Sequence, residues 1–327
     1  MSQNIRVLIT AATLSATVLS SNAIASDRAD WPQNFTVGTA SQGGTYFAYG
    51  SGWANYMSEN LGISGGAEIT GGPVQNMALV HTGDLGFGLT TMGPASEALE
   101  GKSPLAPGMK LDNVCAMFPM YQTPFSVTVL TNSGITRIAD IPEGARIGFG
   151  PAGSTSDTYF PRMMDALGVQ YERRNGSWAD LGGQLQDGLI DVVAFAAGIP
   201  IPAVSQLEVQ SDIRIIEFNE DEVTRITAEF PVAPFTIPAN TYSSLNADSQ
   251  AVSMWNFAVA GCDMPEELVY EMTRLTLENN DKMVSIHKAA TTSVAENYVH
   301  NTVIPWHPGA ARWFNENGYT IDVSQIK

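Results

Sequence analysis

Two loops rich in glycine and hydroxyl side chains carry the clearest chemistry in this chain: Gly43-Gly44-Thr45-Tyr46 and Gly153-Ser154-Thr155-Ser156. Glycine lets a backbone approach a ligand closely, and serine or threonine hydroxyls cap helices or bond a ligand. Where such a loop opens a helix, free N–H groups and the positive end of the helix dipole attract an anion. Anion binding is therefore expected, with Gly43, Gly44, Thr45 and Tyr46 on one side and Ser154, Thr155 and Ser156 on the other. Thr90 and Thr91, Pro200 through its neighbouring backbone, and Gln122 complete the candidate set. Simple helix capping is the competing reading of either loop taken alone.

Other chemistries fit less well. Residues 148–153 read Gly-Phe-Gly-Pro-Ala-Gly, and Glu172 follows further on, the outline of a dinucleotide fingerprint. Pro151 inside the loop, the mid-chain position and the export signal described below argue against NAD(P), and no cofactor is expected. Ser154 lies in Ala-Gly-Ser-Thr-Ser rather than the G-x-S-x-G elbow of serine hydrolases. His287, His300 and His307 lie downstream, but nothing in the sequence sets one beside Ser154, so no catalytic residue is expected. The four histidines lack H-x-x-x-H spacing and C-x-x-C is absent, so no metal site is expected either. His307, in a Trp-His-Pro-Gly turn, reads as structural, as does Arg162. Trp53, Trp178, Trp255, Trp313, Tyr121 and Tyr242 read as core or lid.

The elements that must position the two loops are written twice. Residues 35–57 and 145–167 each run from a short β-rich stretch through the loop into helical spacing. Each is followed by an amphipathic helix ending at glycine (Gly83, Gly188) and then a buried apolar strand. Strands alternating with helices predict an α/β fold of two lobes, each a doubly wound, mainly parallel sheet, with ligand beyond the carboxyl ends of the strands. For the first lobe the expected elements are strand 35–39, helix 45–59, strand 67–70, helix 74–82 and strand 85–89.

Two proline-rich extended stretches, 114–130 and 230–242, read as crossings between lobes. Pro119 and Pro124 argue against a central strand in the first. Residues 247–317 read as helical and packed on lobe one. The expected division is 1–25 as a signal peptide, 26–122 with 241–327 as lobe one, and 123–240 as lobe two. Arg6, the apolar stretch 7–19 and Ala23-Ile24-Ala25 fit an export signal cleaved after Ala25.

The 327 residues are 44% hydrophobic and 15% charged, as in globular chains of about two domains, and the net charge of −17 opposes nucleic acid or an anionic membrane as partner. Cys115 and Cys262 are the two cysteines. Their spacing does not decide between a bridge and two buried, inert thiols, and the second is the expectation.

Taken together, the chain resembles the extracytoplasmic solute receptors of the TAXI type, which serve tripartite ATP-independent periplasmic (TRAP) transporters. The resemblance spans 35–319. It rests on the Gly38-Thr39 to Tyr46 segment, on Thr70-Gly71-Gly72-Pro73-Val74-Gln75-Asn76, and on Gly83-Asp84-Leu85-Gly86-Phe87. Gly153-Ser154, Asp187-Gly188-Leu189-Ile190-Asp191, Gly198-Ile199-Pro200, Ile237-Pro238-Ala239-Asn240-Thr241-Tyr242 and His307-Pro308-Gly309-Ala310 continue it. It implies a type II periplasmic-binding fold without catalysis, probing the periplasm as a monomer for a small carboxylate. Glutamate-like amino acids, 2-oxo acids and dicarboxylates are the implied ligands, and membrane permease subunits the implied partner. A sensor of the same fold, serving a signalling partner, is the alternative. Ser41-Gln42 before Gly43, Thr155-Ser156 after Ser154, and Thr90-Thr91 depart from the family pattern at the expected cleft, where they bear on ligand identity rather than on fold.

Overall fold

Each half of the chain builds the expected β-α-β unit from local signals. The computed structural model describes residues 28–327, so the export signal expected at 1–25 lies outside the described residues. The first unit comprises β1 (Asn34–Gly38), α1 (Thr45–Leu61), β2 (Ser64–Glu68), α2 (Pro73–Thr82), β3 (Phe87–Thr91) and α3 (Met92–Leu99). α1 forms because Tyr46, Tyr49, Gly50, Trp53, Ala54, Met57 and Leu61 recur at helical spacing and all are buried. Gly62, at φ 71°, ends it by donating its N–H to Ser58 O. β1 pairs in parallel with β2 and β3.

After β4 (Cys115–Leu130) the second unit repeats the plan: β5 (Ala145–Gly148), α4 (Thr155–Leu167), β6 (Tyr171–Arg174), α5 (Trp178–Gln186), β7 (Val192–Ala196), α6 (Pro202–Gln210), β8 (Ile213–Ile216) and α7 (Glu220–Glu229). β5 lies parallel between β6 and β7. Ser154 caps α4 by accepting the Asp157 N–H. Pro161 deprives that helix of one N–H, and the Asp157 carbonyl that would have accepted it is taken by Arg173 Nη2 at 3.2 Å. The chain closes with β9 (Ala233–Ile237), β10 (Ser249–Ala260), α8 (Glu266–Leu277), α9 (Asn280–Ile286) and α10 (Pro308–Glu316).

One mixed sheet runs through both lobes in the order β2-β1-β3-β10-β4-β7-β5-β6, with β8 beside β4 and β9 beside β10. β4 and β10 are the long strands common to both lobes. The first half of β4 pairs with β10, and its second half pairs with β7 and β8. β10 starts against β9 and ends against β3. These are the two extended crossings, but they differ from expectation in three respects.

First, 115–130 is one continuous strand in spite of its prolines. Pro119 sits between two register shifts in the β4–β10 pairing, and Pro124 sits just before β4 takes β7 as its second partner, so neither interrupts a regular ladder. Second, the strand that returns beside β4 is β10, whereas 230–242 contains the edge strand β9. Third, residues 249–260, expected to be helical, form β10. Buried on both faces, with Ser253 and Asn256 set among its apolar residues, that strand lacks the strict alternation of a half-buried strand, and periodicity does not distinguish it from a buried helix. The helices beyond it do pack on lobe one: Trp53 Nε1 on α1 donates to Thr276 Oγ1 on α8 at 2.9 Å.

The expectation of two free thiols is also overturned. Cys115 and Cys262 form a disulfide with 5.0 Å between Cα atoms. Antiparallel register sets Cys115 opposite Ala260, so pairing β4 with β10 brings together cysteines 147 residues apart. The bridge clamps the two crossing strands at their lobe-one end.

Candidate functional site

The two glycine–hydroxyl loops face each other across the cleft between the lobes. A small cavity of about 30 Å³ lies between them. Lobe one contributes Ala40, Gly44, Thr45 and Tyr46 from the start of α1 and Pro73 from the start of α2. Lobe two contributes Ser154 and Thr155 from the start of α4, Trp178 from the start of α5, and Ala196 and Ala197 from the end of β7. Thr123, on the crossing strand β4, completes the lining. α1 has no side-chain cap at Gly44, so its first-turn N–H groups are not taken up by a capping side chain. They and the first turn of α4 border the same space, as helix starts do at anion sites.

Beneath the cavity a buried polar network joins the site to both crossing strands. Asn256 Oδ1, on β10, accepts from Tyr46 Oη at 2.6 Å and from Thr123 Oγ1 at 3.0 Å. Its amide nitrogen donates to the Tyr121 carbonyl of β4. Burial pushes the Tyr46 phenol well above its ordinary range, so it stays protonated and donates. Tyr121, edge-on to Tyr46 with 6.5 Å between ring centres, is shifted upward by the same cause.

The lobes also touch directly, through groups that surround the cavity. Thr45 Oγ1 donates to Gly198 O, and the Thr91 and Thr155 hydroxyls share a hydrogen bond. Gln42 O and Gly43 O accept from Ala179 N at 3.3 Å and Ala203 N at 3.0 Å, supplying acceptors to the first turns of α5 and α6. Val74 N, at the start of α2, donates to Gly153 O at 3.1 Å. Further out, Glu97 on α3 accepts from Arg162 Nη1 at 2.7 Å and from Tyr159 Oη at 3.1 Å, both on α4. Arg162 therefore spans the cleft.

Of the expected residues, Gly44, Thr45, Tyr46, Ser154 and Thr155 line the cavity. Gly43 and Thr91 instead join the lobes beside it. Thr90 is buried on β3, opposite Phe257 of β10. The Ser156 hydroxyl donates to Ala194 O and ties α4 to β7. Pro200, which follows a cis peptide bond, and Gln122 are not among the lining residues. Gln122 is displaced by its neighbour Thr123 because successive strand residues point to opposite faces of a sheet. Sequence reasoning missed Thr123, Asn256 and the place of Trp178. Thr123 and Asn256 meet across 133 positions, a contact with no local signal, whereas Trp178 after Ser177 carried the mark of a capped helix start.

The alternative chemistries find no support in the geometry. Inside the fingerprint-like loop, a Cβ on Gly150 would lie 2.5 Å from the Trp178 ring, so an indole fills the space beside it. Ser154 Oγ engages Asp157 N–H and Phe149 O. His287 accepts from Ala289 N, His300 stacks on Trp255, and His307 caps α10 through Gly309 N. Among the described residues no group of three or more His, Cys, Asp or Glu is placed to hold a metal, and no helix is long and apolar enough to cross a membrane.

A two-lobed α/β fold with crossing strands and a cleft between lobes is the architecture of periplasmic binding proteins, and solved structures of that kind share it. One is described as a periplasmic transporter: 13% identity, TM-score 0.56, covering 88% of this chain and 98% of that one. MatC from Rhodopseudomonas palustris with bound malate matches at 13% identity and TM-score 0.56, over 83% and 93% of the two chains. Rpa4515 of R. palustris with adipate matches at 17% identity and TM-score 0.55, over 80% and 89%. The profile of the NMT1-like family matches residues 37–318, and the chain belongs to that family.

Proposed function

We propose that the protein is an extracytoplasmic solute receptor of the TAXI type, exported with cleavage after Ala25, that binds a small carboxylate and delivers it to a TRAP-type membrane permease. One observation carries this reading: two helix starts, from opposite lobes, converge on one small cavity. Carboxylates bound by proteins of the same fold, malate and adipate, agree with it. Closure supplies the mechanism. The lobes bend about β4 and β10, lobe one ending near Thr123 and resuming near Met254, which face each other in the strand register. The ligand meets both helix starts only when the lobes close, so binding draws the population toward the closed state. Tyr46, Thr123 and Asn256 connect the bound group to the crossing strands. Nothing in this cycle makes or breaks a covalent bond, so the protein acts as a carrier and not as an enzyme.

A thermal-shift screen of the mature protein tests the reading, with C4–C6 mono- and dicarboxylates, amino acids and 2-oxo acids. A ligand at a hundred times its dissociation constant adds about 2.7 kcal/mol of stability. Ser154→Ala removes the cap on α4, which costs about 1 kcal/mol without ligand, and also shrinks the ligand-dependent shift. A full shift in the variant would reduce Ser154 to a cap, and the absence of a shift with every carboxylate would refute the receptor assignment.

A further inference from the structure

The lining of the cavity specifies the charge of its guest. Not one of the lining residues is an acid, a base or a histidine. Of the nearby acids, Asp157 is held by Arg173 and Asn175 and Glu97 Oε1 by Arg162 and Tyr159, Glu97 Oε2 is buried without a partner, and neither carboxylate lines the cavity. The lining hydroxyls are engaged with protein partners as well. Thr45 donates to Gly198 O, Tyr46 and Thr123 donate to Asn256, and Thr155 shares a bond with Thr91. What the closed cleft still offers is backbone N–H groups at two helix starts, each equivalent to about +0.5 of a charge.

We propose that, within the receptor reading on which this rests, the site selects a small carboxylate of single negative charge with an uncharged tail, a short 2-oxo or 2-hydroxy acid, and rejects amino acids and dicarboxylates. Two half-charges converging on one small cavity balance one carboxylate. The rest of the surface, from Ala40, Pro73, Trp178, Ala196 and Ala197, suits a short apolar tail. An ammonium entering here finds no ionised acceptor, and a second carboxylate finds no cation. An unpaired charge taken out of water is strongly disfavoured. The oxygen of a 2-oxo group, by contrast, only accepts hydrogen bonds and suits the N–H groups on offer.

Calorimetric titration of the mature protein with an isosteric series tests this: pyruvate and 2-oxobutyrate, L-alanine and L-2-aminobutyrate, then succinate. The oxo acids are expected to bind, with each amino acid and succinate weaker by about 100-fold or more, as expected for an uncompensated buried charge. Binding of an amino acid or succinate as tightly as the oxo acids would overturn the charge argument while leaving a carboxylate receptor in place. If neither this series nor the wider carboxylate screen binds, the receptor reading falls as well.

Discussion

Replacing Gly43 by alanine should block lobe closure while leaving lobe one folded. Gly43 has φ +82°, and a Cβ there would lie 2.8 Å from Ala179 N and 3.2 Å from the Ala203 Cβ, both across the cleft. The left-handed conformation costs alanine about 1–2 kcal/mol whether the cleft is open or closed. The overlap arises only on closure and costs about 1–3 kcal/mol, as overpacking does. Displacing Gly43 O from Ala203 N, 3.0 Å away, adds about 1 kcal/mol. The closed state thus loses about 2–4 kcal/mol, and an affinity that depends on closure falls by about 30- to 700-fold. Gly62→Ala is the control: φ is +71° and nothing lies within 4 Å of the added carbon, so it carries the backbone strain alone. Titration with whichever carboxylate gives the largest thermal shift, together with small-angle scattering, measures both effects. Gly43→Ala should bind weakly and scatter as a more open particle, whereas Gly62→Ala should melt early but bind normally. Wild-type affinity and scattering in both variants would refute the closure mechanism.

Two further outcomes follow from the structure. The Cys115–Cys262 bridge closes a loop of 147 residues, for which chain entropy sets an upper limit of about 5 kcal/mol. Because that loop contains all of lobe two and retains structure of its own, Cys115→Ser with Cys262→Ser should cost about 2–5 kcal/mol in urea, and unchanged midpoints with and without reductant would show that the clamp adds nothing. Burial pushes the His307 imidazole down from 6.5 to about 4, where the neutral ring accepts Gly309 N–H and bonds Met264 O. Since the folded value is the lower one, the stability is whole above pH 6.5 and is lost as pH falls from 6.5 toward 4, by about 3 kcal/mol. Urea curves at pH 7.5 and 4.5 should therefore diverge more in the wild type than in His307→Gln, and equal divergence would sink the assignment.

The features that were legible in advance share one property: their signals are local. The buried stripe of α1, the glycine stop at Gly62, the serine cap of α4 and the repetition of strand, loop and helix each lie within a few turns of chain. Once the halves were read as parallel units, the two loops could be set at the strand ends where ligands bind. The misreadings came where local pattern is silent. β10 is buried on both faces and lacks a strict alternation, so its sequence reads equally as a buried helix. The prolines of β4 argued against a strand because the two register shifts that accommodate Pro119 exist only in the pairing with β10.

From the residues alone came the two-lobed α/β class and the paired helix starts, because capping, periodicity and turn chemistry act between near neighbours. The tertiary structure decided the rest: that Cys115 meets Cys262, that Thr123 rather than Gln122 faces the cleft, that Asn256 ties Tyr46 to the crossing strands, and that no charged side chain enters the cavity. Each of these depends on strand register, a cooperative choice made by many weak contacts between segments far apart in the chain, and a one-residue slip would turn each strand's side chains to the opposite face.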